Sequence, residues 1–277
     1  MENKLSNIRT GRVTSGEIVD LMSNGTSRGS VGAPFKSYVE ACIMERFFKA
    51  PSDETSAEVF HFHWGKLCER IVHELLGTEY VFQSDVTLMH PELEEWVGTP
   101  DGLKSSKKLK EIITVILEEK GYKILQAKTV TDIKCPTSKK GFYNLVRDLY
   151  IFDGVNVTKR EKINGNDVIK MIRDRSKEGK KYYWQLVSNA CITGAEYAEL
   201  IVYMPYFEEL QDIKLFNTSE DGPGYYTIER KTIEELPYLM KETGIDNLNI
   251  IRFKVPEEDK KALRARVELA IDEINQG

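Results

Sequence analysis

The stretch that decides the fold begins at residues 98–102 with GTPDG and ends at residues 130–136 with VTDIKCP. In an extended strand alternate side chains share a face, so Asp132 and Lys134 point the same way and Ile133 points into the opposite layer. Asp101 follows a proline and precedes a glycine, which places it on a turn or a strand end. From there its carboxylate can reach Asp132, and the sequence predicts two carboxylates beside one ammonium group.

These side chains suit a divalent-metal site for phosphodiester hydrolysis. Carboxylate oxygens are hard ligands for Mg²⁺ or Mn²⁺, and the bound ion lowers the pKa of a water molecule. A lysine beside them can orient that water or neutralise charge that develops on the phosphoryl group. Short motifs of this kind also arise by chance, so the alternative is a turn followed by a strand with an exposed ion pair.

The two half-motifs resemble those of the PD-(D/E)xK nuclease superfamily, with Pro100-Asp101 as the first half and Asp132-Ile133-Lys134 as the second. A third acidic position precedes them. Residues 61–77 carry a wide apolar stripe that predicts a helix, with Glu69 on its flank and Gly65 one turn earlier. This Gly-x-x-x-Glu pattern is similar to the helix of the lambda-exonuclease and YqaJ-like branch, which implies that Glu69 reaches the metal directly or through water.

The N-terminal segment also resembles that branch, whose Arg-x-Gly-x-(Ile/Val)-Thr-x-Ser pattern is associated with a pocket for the 5′-phosphate of a DNA end. The positions that match are Arg9, Gly11, Val13 and Thr14. The family serine falls on Gly16, and Ser15 stands one position early. The resemblance implies 5′-phosphate binding by Arg9 and Ser15. The alternatives are an idle surface ion pair for Arg9 and the N-cap of a helix through Ile18 to Met22 for Ser15 or Thr14.

Residues 181–194 predict a helix that ends at Gly194 and precedes a strand at 197–204. Tyr182 and Gln185 match a Tyr-x-x-Gln helix of the same family, which implies that Gln185 lies near the scissile phosphate or the attacking water. Asn189 falls on the side of Lys181 and Gln185, and this pattern is also typical of a helix-surface amide.

The resemblance implies an α/β fold with a restriction-endonuclease-like core, in which helices flank a central mixed β-sheet, in one nuclease domain over residues 1–277. It implies metal binding by Glu69, Asp101, Asp132 and the carbonyl of Ile133. Catalysis would be by the three carboxylates with Lys134 and Gln185, and the cofactor would be Mg²⁺, with Mn²⁺ able to substitute. Two histidines, His61 and His63, could suggest zinc, but a pair without further ligands is more often structural.

The activity that the resemblance implies is exonucleolytic hydrolysis of double-stranded DNA from its ends, 5′ to 3′, in phage-type recombination. Enzymes of this group commonly work with a single-strand annealing protein and commonly form rings, so a homo-oligomer is expected. The alternatives are a restriction-like or junction-resolving endonuclease of the same superfamily, and a catalytically silent DNA-binding or assembly module. The last alternative, a catalytically silent module, is disfavoured because Glu69, Asp101, Asp132 and Lys134 are all present.

One departure from the family is the spacing of 31 residues between Asp101 and Asp132, which are usually close in sequence. It predicts an insertion near 104–123, with an amphipathic helix over 107–121. A second polar and basic excursion, at 153–180, is interpreted as a surface arm that contacts DNA, and an acidic peripheral region with a hairpin and short helices is expected over 206–249. Strands are predicted at 79–89, 94–98, 126–135 and 250–255, and helices at 35–49, 137–150 and 256–275.

The net charge of −5 is unevenly distributed along the chain. Residues 104–181 hold 20 Lys and Arg against 10 Asp and Glu, a local charge of +10, and the remainder carries −15. A positive zone around the predicted site is what a phosphate backbone requires. The four cysteines stand far apart, and neither a signal peptide nor an apolar membrane span is evident. We therefore expect reduced thiols in a cytoplasmic protein without a membrane partner, in the host cytoplasm if the gene is a phage's.

Overall fold

The computed structural model describes residues 8–27, 29–51, 59–82, 86–104 and 127–277. The helix expected over 107–121, and most of the insertion expected near 104–123, lie outside these ranges. None of the helices within them combines the length and the apolar composition that a membrane crossing requires.

A five-stranded sheet forms the centre of the fold. Its strand order is β10-β9-β6-β5-β2, and the β6–β9 pair is parallel while the other pairs are antiparallel. This is the central mixed sheet that was expected. The strands are β2 (Tyr80–Phe82), β5 (Gly102–Lys104), β6 (Thr129–Lys134), β9 (Tyr197–Tyr203) and β10 (Leu248–Lys254).

Helices cover both faces of this sheet, which confirms the predicted α/β class. They are α1 (Ala33–Phe48), α2 (Val59–Leu76), α3 (Lys139–Val146), α4 (Gly165–Arg173), α5 (Lys177–Thr193), α6 (Leu210–Thr218), α7 (Tyr226–Glu229) and α8 (Glu257–Gln276). Val130 on β6 belongs to a core cluster with residues of α1, α5 and α8, whereas Ile133 belongs to a second cluster with residues of α2 and α6. Strand β6 is therefore buried on both sides, and alternate residues enter different layers.

Both ends of helix α5 are set by capping residues. Ser176 caps its first turn by accepting a hydrogen bond from the backbone N–H of Gly179, and Gly194 ends it in the left-handed conformation at φ +70°. The apolar stripe through Tyr183, Leu186 and Val187 is buried, as the 3.6-residue period predicts. The helix thus lies over β6 with its N-terminal half near the end of that strand.

The prediction of a single strand over 79–89 is wrong, because this range contains two short strands in different sheets. Strand β2 belongs to the central sheet, whereas β3 (Leu88–Met89) belongs to a small sheet, antiparallel to β4 (Trp96–Gly98), which in turn is parallel to β1 (Val13–Thr14). Strands β4 and β5 lie on either side of Asp101, and β3 pairs with the first while β2 pairs with the second. Alternation along the sequence does not show which partner a short strand chooses.

The expected helix start at Thr14 or Ser15 is also wrong. The turn is a 3₁₀ helix over Ile18–Met22 that follows Glu17 and has no side-chain cap. Gly11 adopts φ +66°, and the segment is held against α1 because Gly11 N–H donates to Glu45 Oε2 (2.8 Å) and Arg46 Nε donates to Gly11 O (2.8 Å). A positive φ explains the glycine at this position.

Two regions differ from their expected character. Within 153–180, helix α4 buries four apolar residues against α5 and β10, so this half contributes to the core. The hairpin of β7 (Tyr150–Phe152) and β8 (Val157–Lys159) and most of residues 160–167 stay at the surface. The charged residues of α4 lie on one face. They make the segment polar on average, so its composition does not reveal the apolar face that is buried. Region 206–249 forms short helices and no hairpin, and it packs on α2 as part of the second core cluster.

Gly98 should tolerate no side chain. A Cβ atom there would lie 2.4 Å from Asn189 Oδ1 and 2.4 Å from Ser15 Oγ in a fully buried site. We expect Gly98→Ala to lower the free energy of unfolding by about 1–3 kcal/mol through overpacking, measured by urea denaturation. Gly65→Ala is the control: its Cβ would meet nothing within 4 Å, and mid-helix alanine should add about 0.5–1 kcal/mol. Equal stability of the two variants would contradict the prediction.

Candidate active site

Asp101 and Asp132 meet at the C-terminal end of β6. The backbone N–H of Ile133 donates to Asp101 Oδ2 at 2.6 Å, which fixes the Asp101 carboxyl beside this strand and next to Asp132, whose charge acts on it. Strand β5 pairs with β6 only as far as Thr131, so beyond that residue the edge of β6 is open to Asp101. The predicted meeting of the two carboxylates is therefore observed.

Lys134 and Gln185 hold Asp132 from two sides. Lys134 Nζ lies 2.8 Å from Asp132 Oδ2, and Gln185 Nε2 donates to Asp132 Oδ1 at 3.1 Å. The Lys134 ammonium also lies 4.9 Å from the centre of the Tyr182 ring, in a cation–π contact. The alternation along β6 places Asp132 and Lys134 side by side, as the sequence predicted, and the one-turn spacing on α5 brings Tyr182 and Gln185 to them.

Burial beside Asp132 disfavours ionisation of the Asp101 carboxyl group. Burial, and then the charge of Asp132, raise the pKa of Asp101 to about 7, against the lowering effect of Lys134. Burial alone would lower the pKa of Lys134, but Asp132 and Asp101 together raise it above its ordinary value. Lys134 is thus a permanent cation next to two carboxylates, one of which resists ionisation.

Glu69 borders the same cleft from helix α2. Its carboxylate is buried and lies 3.1 Å from Lys66 Nζ and 3.7 Å from His73 Nε2. Gly65, one turn earlier, leaves open space, since a Cβ atom there would meet nothing within 4 Å. The space that the Gly-x-x-x-Glu pattern predicts is present.

A cleft of about 400 Å³ opens beside the buried Asp132. Glu69, Asp101 and Lys134 line it, together with residues of the α2 start and the 133–137 segment. At its edge the His61 imidazole contacts Thr137 Oγ1 at 2.5 Å. His63 stacks on Tyr225 and contacts Thr227 Oγ1 at 2.9 Å, so both histidines have structural contacts that need no zinc.

A hard divalent cation fits the donor set of Asp101 and Asp132. The pKa of Asp101 is raised by burial and by repulsion from Asp132, and an ion between the two adjacent carboxyl groups would oppose both effects. The N–H and C=O groups of one strand residue point to the same edge, so the Ile133 carbonyl faces Asp101 as well. Within the described ranges no three His, Cys, Asp or Glu side chains are grouped closely enough to hold an ion. The pair is therefore the core of the site, and contact from Glu69 through water suits the geometry better than direct ligation.

The structure separates the two residues assigned to the 5′-phosphate. Arg9 is exposed, and its guanidinium lies 3.7 Å from the position of a Cβ on Gly16. The next residue, Glu17, pairs at 3.0 Å with Lys181, which precedes Tyr182 of the cleft. Arg9 thus lies beside the segment that pairs with the start of helix α5.

Ser15, by contrast, is 2% exposed, and its hydroxyl contacts Ser188 Oγ at 2.8 Å inside the core. A surface phosphate could not reach that hydroxyl without rearrangement of the segment. Asn189 is buried beside Gly98, so its interpretation as a surface amide is wrong. Residues on one helical side can still meet a neighbouring layer, in this case the small sheet.

Lys66 is a cleft residue that the sequence reasoning missed. It lies three residues before Glu69, and that spacing is the signal that could have identified it, since i and i+3 residues share a helix face. Thr137, in contact with His61, gave no sequence signal because the two are 76 residues apart.

Solved exonuclease structures share this fold. An alkaline exonuclease from Laribacter hongkongensis, LHK-Exo, is 12% identical, with 99% of this chain and 93% of that chain covered and a TM-score of 0.56. For the same enzyme in complex with dAMP the identity is 13%, the coverage is the same and the TM-score is 0.52. A phage-related exonuclease from Haemophilus somnus is 11% identical over 96% of this chain and 94% of its own, with a TM-score of 0.55.

The chain matches no protein-family model and no curated protein sequence. At identities of 11–13% the likeness to the exonucleases is one of fold, and it extends over nearly the whole of each chain.

Proposed function

We propose that this protein is a metal-dependent deoxyribonuclease that hydrolyses phosphodiester bonds from the ends of duplex DNA. The observation that carries the proposal is the placement of Asp101, held by the Ile133 N–H, beside Asp132, while Lys134 and Gln185 contact the Asp132 carboxylate. Asp101 and Lys134 line an open cleft. This is the donor set of a site that binds a hard cation next to a phosphate. The fold shared with three exonuclease structures adds support.

Asp101, Asp132 and the Ile133 carbonyl would hold Mg²⁺, or Mn²⁺ in its place. The bound ion supplies neutralisation of phosphate charge and a lower pKa for a water molecule. Lys134 presents a fixed positive charge to the scissile phosphate or the attacking water, and Asp132 keeps it oriented. Gln185 holds Asp132 in place and brings an amide group to the same position. Glu69 closes the cleft from the opposite layer and would contact the ion through water.

The direction of attack is part of the proposal. Degradation from a duplex end, 5′ to 3′, is supported by Arg9, whose exposed guanidinium lies near Gly16, while the next residue, Glu17, pairs with Lys181 of helix α5. A recombination role, a single-strand annealing partner and a homo-oligomeric working form follow from the sequence resemblance alone.

Three DNA topologies distinguish the proposed activity from its alternatives. The purified protein is incubated with linear duplex, nicked circle and closed circle, with Mg²⁺ or with EDTA. We expect Mg²⁺-dependent loss of the linear form only. Linearisation of closed circles would identify an endonuclease, and binding to all three forms without hydrolysis would identify a silent DNA-binding module.

We expect the enzyme to prefer a 5′-phosphate over a 5′-hydroxyl. An arginine can hold a terminal phosphate through paired charge-assisted hydrogen bonds, which positions the next phosphodiester at the site. On linear duplexes that differ only in the 5′ group, the preference should be about tenfold, the size of one such contact, and should vanish in Arg9→Ala. Arg70→Ala, an exposed arginine on α2, is the control. Equal rates on both ends in the wild type would leave Arg9 with no role in end binding.

A further inference from the structure

A second groove opens at the base of the β7–β8 hairpin, apart from the cleft. It has a volume of about 550 Å³ and lies between the hairpin base and helix α4. Its cations are Arg160, Lys162, Lys170 and Arg175, and its acids are Asp148, Asp167 and Asp174. None of these residues belongs to the candidate active site.

Ion pairing within the groove leaves it with excess positive charge. Arg175 holds Asp148 through contacts of 2.8 and 3.3 Å, and Arg173, outside the groove, holds Asp174 at 2.9 Å. In the described part of the chain Arg160, Lys162 and Lys170 form no ion pair. Three unpaired cations therefore face one remaining carboxylate, Asp167, and the groove suits an anion such as a phosphate backbone.

The hairpin above the groove presents apolar side chains to solvent. Phe152 is 70% exposed and Val155 is 85% exposed, and Ile151, the middle residue of β7, is also exposed. Strands rise about 3.3 Å per residue, so roughly 10 Å of strand separates the Phe152 backbone from Leu149, whose carbonyl accepts from the N–H of Arg160 at the groove. An exposed aromatic ring near unpaired cations is the combination by which proteins bind single-stranded nucleic acid, since bases stack on the ring while cations follow the backbone.

The hairpin is held rigidly enough to present that ring. Tyr150 OH donates to Asn249 Oδ1 at 2.7 Å and accepts from the backbone N–H of Asp246 at 3.0 Å. Lys159 Nζ lies 2.6 Å from Asp246 Oδ2. At the tip, Asp153 Oδ1 accepts from the backbone N–H groups of Val155 and Asn156. A preorganised platform loses little entropy when a ligand binds.

The groove and the cleft lie at the same end of helix α5. Arg175 stands just before the start of that helix, and Tyr182 in the cleft wall follows it by seven residues, about 10 Å at the helical rise. One polynucleotide strand can therefore occupy both places at once.

We propose that the groove and the Phe152 platform form a binding site for single-stranded nucleic acid. This site binds nucleotides of a strand that lie beyond the nucleotide cleaved in the cleft. The inference rests on the proposed function for its substrate class. The cations bind the phosphates, and Phe152 stacks on an unpaired base. A duplex offers stackable faces only at its ends, so the site prefers a single strand.

The test is the binding of a fluorescent dT oligonucleotide of about 30 nucleotides, longer than the roughly 4–16 nucleotides that single-strand sites cover, in EDTA so that no hydrolysis occurs. We expect Lys162→Ala/Lys170→Ala to weaken binding roughly tenfold and to reduce the slope of log K against log salt by about 1.4, for two phosphate contacts. Phe152→Ala should weaken binding by tenfold or more, since stacking on one base contributes that much. Lys36→Ala/Lys261→Ala, on α1 and α8, is the charge-matched control and should bind as the wild type does.

Wild-type affinity in both groove variants, or equal weakening in the control, would overturn the inference. The inference would also be overturned if the protein bound duplex more tightly than single strand and Phe152→Ala weakened both interactions equally. Hydrolysis of linear duplex with Mg²⁺ is measured separately on the same proteins. If the wild type hydrolyses DNA and the groove variants bind dT normally, the groove inference fails and the proposed function stands. If none of the proteins hydrolyses DNA but dT binding depends on the groove, the proposed function fails and the groove inference stands.

Discussion

Lys134→Ala is expected to lower the rate of DNA hydrolysis by roughly 10²–10³-fold, the usual cost of removing one preorganised electrostatic group from an active site. Lys134 is the cation that pairs with Asp132 beside Asp101, and it lines the cleft in contact with the Tyr182 ring. Duplex affinity, measured in EDTA, should change by no more than about threefold, because one phosphate contact among many contributes little.

Two controls make this result specific. Lys140→Ala removes an exposed lysine of α3 from the same basic zone and should hydrolyse DNA at the wild-type rate. Removing Lys134 also leaves a carboxylate pair without its cation, so thermal unfolding of the variant must show that it is folded at the assay temperature. A folded Lys134→Ala protein with wild-type activity would remove this lysine from the mechanism.

Asp101→Asn is expected to abolish hydrolysis and, at the same time, to stabilise the metal-free protein at pH 8. Asparagine keeps an oxygen that can accept from the Ile133 N–H but removes the charge that repels Asp132. The pKa of Asp101 is raised from 3.8 to about 7 by burial and by Asp132. An acid with a raised pKa in the folded state favours the protonated form, so stability falls as the pH rises between these two values.

The pH dependence therefore differs between the two proteins. The metal-free wild type should lose stability between about pH 4 and pH 7 from this group, and Asp101→Asn should not. Mg²⁺ at a hundredfold excess over its Kd should raise the wild-type Tm at pH 8 by about 5 °C, because the ion binds only the folded pair, and should leave the variant unchanged. Asp272→Asn, on the exposed side of α8, is the control. Equal Mg²⁺ stabilisation of the wild type and Asp101→Asn would show that the ion binds elsewhere.

The sequence predicted best where the argument was local. Alternation placed Asp132 and Lys134 on one face, and the spacing of Gly65 and Glu69 predicted open space beside a carboxylate. Both follow from the geometry of a single strand or helix. The mixed sheet and its flanking helices followed from the same periodicity together with the resemblance.

The errors arose where distant segments meet. Ser15 is buried because Ser188, 173 residues later in the chain, contacts its hydroxyl. Asn189 is buried because the small sheet covers that side of α5, and no pattern within the helix shows this. The apolar face of α4 was overlooked because the charged residues of its other face dominated the composition of 153–180. Tertiary contacts of this kind decide burial after local propensity has decided the element.

We propose that hydrolysis of DNA from an end depends on Asp101, Asp132 and Lys134 together with a divalent ion. The decisive experiment uses a linear duplex labelled at one 5′ end and, separately, at one 3′ end, incubated with Mg²⁺ and the wild type, Asp101→Asn or Lys134→Ala. The account predicts early release of the 5′ label as a mononucleotide by the wild type only, and none in EDTA. Release that persists in EDTA or in Asp101→Asn, or internal cuts that leave both end labels on long fragments, would contradict it.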